Sequence, residues 1–285
     1  MDDKRLYSPK RLKEVLGKHN FKLSKSLGQN FLIDGNIVRK IVESAEITKD
    51  DYVLEVGPGM GTLTEELALN AKKVVAVELD RNLQPVLKDT LGQYENVEIV
   101  FEDILKLNLE ELIKDKFHDA KVKIVANLPY YITTPIIAKF LEEGYNIDSI
   151  NVMVQKEVAE RISAKPNNKS YGSLTVFAQF YSNPQIVLNI PKSVFIPQPK
   201  VDSAVIRLKI DNKYPEVDRD KFFKIVKAAF STRRKTILNT LSSGLELEKD
   251  RVRELLEESH IESKKRAENL TIEDYISLSN NFPSL

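Results

Sequence analysis

The chain has 285 residues, with 43 Lys and Arg against 42 Asp and Glu for a formal net charge of +1, three histidines and no cysteine. That length suits one large domain and one small one; the absence of cysteine excludes a disulfide framework and a thiolate metal site, and His19, His118 and His260 lack ligand spacing. Met1-Asp-Asp-Lys-Arg5 holds no apolar signal core and no apolar run reaches spanning length, so a cytoplasmic protein with no membrane partner and no metal is expected.

The charge is unevenly spread. Residues 1–29 carry eight Lys or Arg against three acids, and residues 219–235 carry seven against Asp220 alone, while acids gather at Glu254, Glu257, Glu258 and Glu262. Two basic clusters in a nearly neutral chain suggest an electrostatic footprint for nucleic acid. The ordinary alternative is a solvated helical face.

The first strong element is Asp51-Tyr-Val-Leu-Glu-Val-Gly-Pro-Gly-Met-Gly-Thr62, a buried strand running into a glycine-rich turn, after which Leu63, Leu67 and Leu69 begin a helical pattern. Gly57, Gly59 and Gly61 let backbone approach a ligand where side chains would collide. The next strand, Val74 to Val77, ends at Glu78, about 20 residues after Gly57, where an acid takes ribose hydroxyls in a nucleotide-binding βαβ unit. The spacing G-x-G-x-G departs from the G-x-G-x-x-G of dinucleotide enzymes, and Pro58 removes an N–H that a pyrophosphate would use. An adenosine cofactor with a ribose and no phosphate fits better, which points to S-adenosylmethionine. Glu55, near the end of the strand that runs into this turn, is expected to touch the cofactor as well. The strand Val97 to Phe101 then ends in Glu102-Asp103-Ile104, with Asp103 placed to accept from an adenine amine and Ile104 beside it.

Val122 to Ala126 is an apolar strand that runs into Asn127-Leu-Pro-Tyr130. An amide, a proline-turned backbone and an aromatic ring together suit an aromatic amine, whose lone pair is delocalised and must be raised by geometry. Acceptance by the Asn127 side-chain oxygen and the Pro129 carbonyl would favour a pyramidal nitrogen, with Tyr130 stacked on the base. An ordinary turn is the plain alternative, since Asn and Pro are turn formers. A further strand spans 150–155, Ser173 to Tyr181 and Ala204 to Ile210 read as two late strands closing the sheet edge, and the proline-rich 190–199 loop lies between them. There Phe195 is held by a stiff Ile-Pro-Gln-Pro segment, as a loop anchor or as the second face of a sandwich around a flipped adenine. Asp211 to Pro215 reads as a linker, and from Arg219 the pattern is helical, with Phe222, Phe223, Val226 and Phe230.

Ser26-Leu-Gly-Gln-Asn-Phe-Leu-Ile-Asp34, the glycine turn, Glu78, Glu102-Asp103, Asn127-Leu-Pro-Tyr130 and Val194-Phe-Ile-Pro-Gln-Pro-Lys-Val-Asp-Ser203 together resemble the ribosomal RNA adenine dimethylase family, in its bacterial small-subunit branch. Tyr131 departs from the Asn often found after the tetrapeptide, a peripheral change. The resemblance implies a doubly wound α/β fold with a mainly parallel seven-stranded class I methyltransferase sheet and a small all-helical C-terminal domain. The expected division is a methyltransferase domain with a basic arm over 1–211 and a helical RNA-docking domain over 212–285. It also implies dimethylation of two adjacent adenosines near the 3' end of small-subunit ribosomal RNA, within the subunit or its precursor, by a monomer. Asn30 and Leu32 would cover the cofactor beside Asn127, and Arg233, Arg234 and Lys235 would meet RNA. A large-subunit RNA methyltransferase and a ribosome-assembly factor with secondary catalysis are the alternatives within that reading. A nicotinamide oxidoreductase would leave Asn127 to Tyr130 without a task, and the short helical C-terminal region argues against a DNA adenine methylase.

Overall fold

The computed structural model describes residues 5–21, 29–143 and 145–282. Lys4, Lys22, Lys25 and Ser26-Leu-Gly28, part of the basic arm and of the N-terminal motif, lie outside the described residues.

In chain order the elements are α1 (Pro9–Lys18), β1 (Phe31–Leu32), α2 (Gly35–Ser44), β2 (Tyr52–Val56), α3 (Thr62–Asn70), β3 (Lys73–Glu78), α4 (Gln84–Leu91), β4 (Val97–Phe101), α5 (Leu109–Phe117), β5 (Val122–Asn127) and α6 (Thr133–Glu143). They continue with β6 (Ile147–Gln155), α7 (Lys156–Ile162), α8 (Ser173–Tyr181), β7 (Ser182–Ile190), β8 (Phe195–Ile196), β9 (Ser203–Ile210), α9 (Arg219–Ala229), α10 (Ile237–Leu245), α11 (Lys249–Glu258) and α12 (Ile272–Asn281). No helix among the described residues is long and apolar enough to cross a membrane.

The seven-stranded sheet runs β4-β3-β2-β5-β6-β9-β7. Its first five strands are parallel and β9 is antiparallel to β6. Continuous apolar runs such as Val74-Val-Ala-Val77 and Ile124-Val-Ala126 are buried, as a sheet covered on both faces requires. The order reverses beside β2, with β3 on one side and β5 on the other. That reversal opens a crevice outside the carboxyl ends of the strands, where ligands bind in open α/β sheets.

One expected strand is a helix. Ser173–Tyr181 forms α8, and the outer arm of the closing hairpin is β7, directly after it. Leu174-Thr-Val-Phe-Ala-Gln-Phe-Tyr181 is apolar at both strand and helix spacing, so periodicity alone could not decide. The Gly172 N–H donates to Thr175 Oγ1 at 3.0 Å, Thr175 Oγ1 donates to the Arg161 carbonyl, and Val176 and Phe180 lie buried one helical turn apart.

The chain divides into two compact units, one of residues 1–159 and 185–210 and one of 160–184 and 211–285. The helical unit therefore begins well before 212, because α8 belongs to its core. Tyr171, Val176 and Phe180 pack there with Phe222, Val226, Leu241, Leu255 and Tyr275. The first unit holds its own apolar clusters, one around Val38, Ile41, Leu67 and Val125 and one around Leu12, Met60, Leu83 and Leu87, which meet at Val97.

Candidate active site

A crevice partly open to solvent lies at the carboxyl ends of β2 to β5. Its place at the switch in strand order is where open α/β sheets take nucleotide-like ligands. Gln29, Asn30, Leu32, Glu55, Gly57, Gly59, Glu78, Asp103, Ile104, Asn127 and Pro129 all line it. Residues nearly 100 positions apart are thus gathered by the switch in strand order.

After β2 the chain turns through Gly57 at φ +68° and Gly59 at φ +59°, a left-handed backbone that side chains rarely adopt. The space over the Gly57 α-carbon is open, whereas a β-carbon on Gly59 would meet the Phe31 ring at 2.9 Å. The turn is tied to the next strand, since the Gly59 N–H donates to Glu78 Oε2 at 3.2 Å and the Asp80 N–H to Glu78 Oε1 at 2.8 Å. Glu78 is 6 % exposed. Burial pushes its carboxyl up against those two donors, and neighbouring Asp80 adds to the rise. Gly61, the third glycine, does not line the crevice; its α-carbon packs on Leu91, where a β-carbon would sit at 2.9 Å.

Glu55 is 1 % exposed on the same wall. Burial pushes its carboxyl up to about 8, the neighbouring Thr64 hydroxyl opposes the rise, and Glu78 adds to it. Thr64 nonetheless lies outside good hydrogen-bond geometry, for Glu55 Oε2, Thr62 Oγ1 and Thr64 Oγ1 are all buried without partners. Buried polar atoms of this kind are rare unless a ligand or water completes them. After β4, Asp103 accepts the Leu105 N–H at 3.0 Å through Oδ1, with Lys106 3.9 Å from Oδ2. The open glycine, the two acids and the unpaired polar wall fit a nucleoside cofactor bearing a polar, phosphate-free tail.

Asn127 ends β5. Its Nδ2 donates to the Asn30 carbonyl at 3.0 Å, and because a carbonyl can only accept, this bond fixes which amide atom is nitrogen and leaves the oxygen as the acceptor. The Pro129 carbonyl does not supply the expected second acceptor, since it already accepts from the Ile132 N–H at 3.2 Å and the Thr133 hydroxyl at 3.1 Å, which fills both lone pairs. Among the described residues no turn or loop hydrogen bond engages the Leu128 carbonyl, one peptide earlier, and Leu128 lines the crevice.

The two expected stacking rings are not brought together at the crevice. Tyr130 is half-buried, shares a 2.7 Å hydrogen bond with Ser203 Oγ and does not line it. Burial raises its phenol, and the Ser203 bond opposes that rise. Phe195 is 2 % exposed, pairs with Leu32 across the short β1–β8 ladder and packs with Tyr7, Ile41 and Val205. It is a loop anchor in this structure. Tyr131 and the buried Phe31 are the aromatics that line the crevice among the described residues, and the exposed Leu79 lines it too. The departure of Tyr131 from Asn was the sequence signal that could have drawn attention to it. None of the three histidines lines the crevice.

Of the basic residues, Arg233, Arg234 and Lys235 are exposed in the turn between α9 and α10. Arg233 donates to the Lys169 carbonyl at 2.6 Å and approaches Glu268 at 3.5 Å. The side chains of Arg234 and Lys235 have no such partner among the described residues. In the first unit Arg5, Arg11 and Lys18 pair with Glu65, Glu14 and Asp89, and Lys10 and Lys13 remain exposed.

A model of ribosomal RNA adenine dimethylase matches residues 20–283. The chain is 55% identical over 280 residues to ribosomal RNA small subunit methyltransferase A of Alkaliphilus oremlandii, covering 97% of this chain and 98% of the relative. Its counterpart in Clostridioides difficile is 55% identical over 278 residues, covering 97% and 96%. Among solved structures, a dimethyladenosine transferase from Plasmodium falciparum matches with a TM-score of 0.73 at 29% identity, covering 87% of this chain and 95% of that one. The 23S rRNA methyltransferase ErmE matches with a TM-score of 0.68 at 26% identity, covering 88% and 98%.

Proposed function

The chain belongs to the ribosomal RNA adenine dimethylase family, and from that premise we propose that it transfers methyl groups from S-adenosylmethionine to the exocyclic amines of two adjacent adenosines near the 3' end of small-subunit ribosomal RNA. The products are dimethyladenosines, formed late in subunit assembly, in the cytoplasm, by a monomer. The single observation that carries the reading is the Asn127 amide, oriented by Asn30, in the same crevice as the Gly57–Glu78–Asp103 cradle. A large-subunit substrate is not favoured: the small-subunit relatives reach 55% identity over nearly the full chain, against 26% for the 23S enzyme.

S-adenosylmethionine supplies a methyl group activated by its sulfonium. In this reading Glu78 receives the ribose hydroxyls, Asp103 the adenine amine, and Gly57 and Gly59 give backbone room for the remainder, with Glu55 on the wall behind and Ile104 beside the base. Gly61 acts at one remove, by seating α3 on Leu91. Asn30 and Leu32 cover the site from β1. Asn127 Oδ1, with the Leu128 carbonyl in place of Pro129, accepts hydrogen bonds from the target amine and holds it in line for transfer. Tyr130 supports that turn through Ser203. The alkylated amine is a cation that loses its proton readily to solvent. Reaching the amine requires an unstacked adenine, which an RNA loop offers at least cost. Exposed cations at Arg234 and Lys235, and at Arg233 if its local bonds yield, would neutralise phosphates.

Mass spectrometry of ribosomal RNA from cells lacking and regaining the protein tests the reading. Paired dimethyladenosines should disappear and return in small-subunit RNA. Their persistence in the deletion, or a change confined to large-subunit RNA, would overturn it.

A further inference from the structure

Tyr131 is 57 % exposed although it lines the crevice, and it sits four residues past the end of β5 in a single 3₁₀ turn of residues 130–132. An exposed aromatic ring usually needs no explanation when it stands alone. This one is mounted on a braced support. The Pro129 carbonyl is held by Ile132 and Thr133, and Tyr130 on the inner side of the turn is tied to Ser203. On another strand end Leu79 is 51 % exposed and lines the same opening. Two large apolar side chains therefore stand in solvent at the mouth of a site that, on the proposed function, admits one base of a nucleic acid strand. More than half of Tyr131 stands in solvent while the residue also lines the crevice, so it can offer ring surface to what remains outside.

We propose that Tyr131 is a substrate-positioning residue that stacks on the RNA base next to the adenine being methylated, holding the neighbour at the crevice mouth while its partner is inside. This inference rests on the proposed function and deepens it. A planar ring with a free π-face suits a base of any identity, and two adjacent target adenosines would each serve as the other's neighbour in turn. Mounting the ring on a braced turn lowers the ordering cost of capturing a flexible strand.

The test is steady-state kinetics on small ribosomal subunits lacking the modification, with Tyr131→Ala, Tyr131→Asn and Tyr131→Phe, alongside calorimetric S-adenosylmethionine affinity and melting temperature. Tyr131→Ala and Tyr131→Asn should raise KM for the subunit by roughly 5- to 150-fold, with kcat, cofactor affinity and melting temperature close to wild type, and Tyr131→Phe should restore KM. An unchanged KM in Tyr131→Ala overturns the proposal. So does a loss in kcat alone, which would put the ring on the target base, or a parallel loss of cofactor affinity, which would put it on the cofactor. Failure of Tyr131→Phe to restore KM would give the role to the hydroxyl instead. If the wild-type protein itself leaves subunits unmethylated, the proposed function falls, and this inference with it.

Discussion

The Asn127 side-chain nitrogen donates to the backbone carbonyl of Asn30 at 3.0 Å, joining the end of β5 to the segment that leads into β1. The bond commits the nitrogen to structure and the oxygen to the crevice. Asn127→Ala removes an acceptor that matters most while the amine reacts, so kcat on subunits should fall by about tenfold to a hundredfold, the range of one hydrogen bond of roughly 1.5 to 3 kcal/mol. Cofactor affinity should change less. Single-turnover rates at wild-type level would remove Asn127 from the chemistry.

Glu78 receives two backbone N–H groups and lies buried between the glycine turn and Asp80. Glu78→Ala deletes the proposed ribose acceptor, and S-adenosylmethionine affinity should weaken by about tenfold to a hundredfold. Asp103→Ala should weaken it in the same range. Calorimetry finding both variants at wild-type affinity would displace the cofactor from this cradle.

Folded Glu55 keeps its proton up to about pH 8, whereas the unfolded chain releases it near 4.5. The folded state therefore binds more protons between those values, and stability falls as pH rises from about 4.5 to about 8, levelling above. Burial raises Glu78 as well, and it acts in the same direction. Glu55→Gln should flatten the decline and leave the protein more stable than wild type at pH 8 by a few kcal/mol, at about 1.4 per pH unit spanned. Urea denaturation across that range reads the slope directly. A slope unchanged by the substitution would show that Glu55 ionises normally.

Gly57 and Gly61 both have positive φ but face different surroundings. Gly57→Ala places a methyl group in open space at the crevice, with about 1 to 2 kcal/mol of backbone strain. Gly61→Ala adds a collision with Leu91, for a further cost of about 1 to 3 kcal/mol. Gly61→Ala should lower the melting temperature more, and Gly57→Ala should lose more cofactor affinity relative to its stability loss. The reverse ranking by calorimetry and thermal melting would contradict the assigned roles.

Among the described residues the Arg234 and Lys235 side chains have no local partner, while Arg233 is held by the Lys169 carbonyl and Glu268. Charge reversal of all three should weaken subunit binding and flatten its salt dependence without affecting cofactor affinity. Replaced singly by Ala, Arg234 and Lys235 should each lower the slope of log affinity against log salt by about one, and Arg233 by less. A full slope in the triple variant would remove this turn from the RNA contact.

Much of the fold was legible because buried parallel strands announce themselves as runs such as Val74-Val-Ala-Val77, and because β3, β4 and β5 end in or run into an acid or amide. Glu78, Asp103 and Asn127 could be named for that reason, and the structure gathers them. Ser173 to Tyr181 was not legible, since its apolar residues satisfy both periods and the choice of helix depends on a core formed with α9 and α12. The occupancy of the Pro129 carbonyl and the tie between Tyr130 and Ser203 were hidden for a related cause. Each depends on a hydroxyl whose approach is set by the folded backbone, and Ser203 is 73 residues away.

The helical unit is assembled from two separated stretches, with Tyr171, Val176 and Phe180 supplied by the earlier one. Dissecting the protein by stopping translation at Ile210 would therefore strip those aromatic and aliphatic faces of the partners they bury against. The product would be sticky and prone to aggregate, and its loss of activity would report an orphaned half-core before it reported anything about RNA. A clean separation of the two units has to excise 160–184 as well, with a short bridge across the gap.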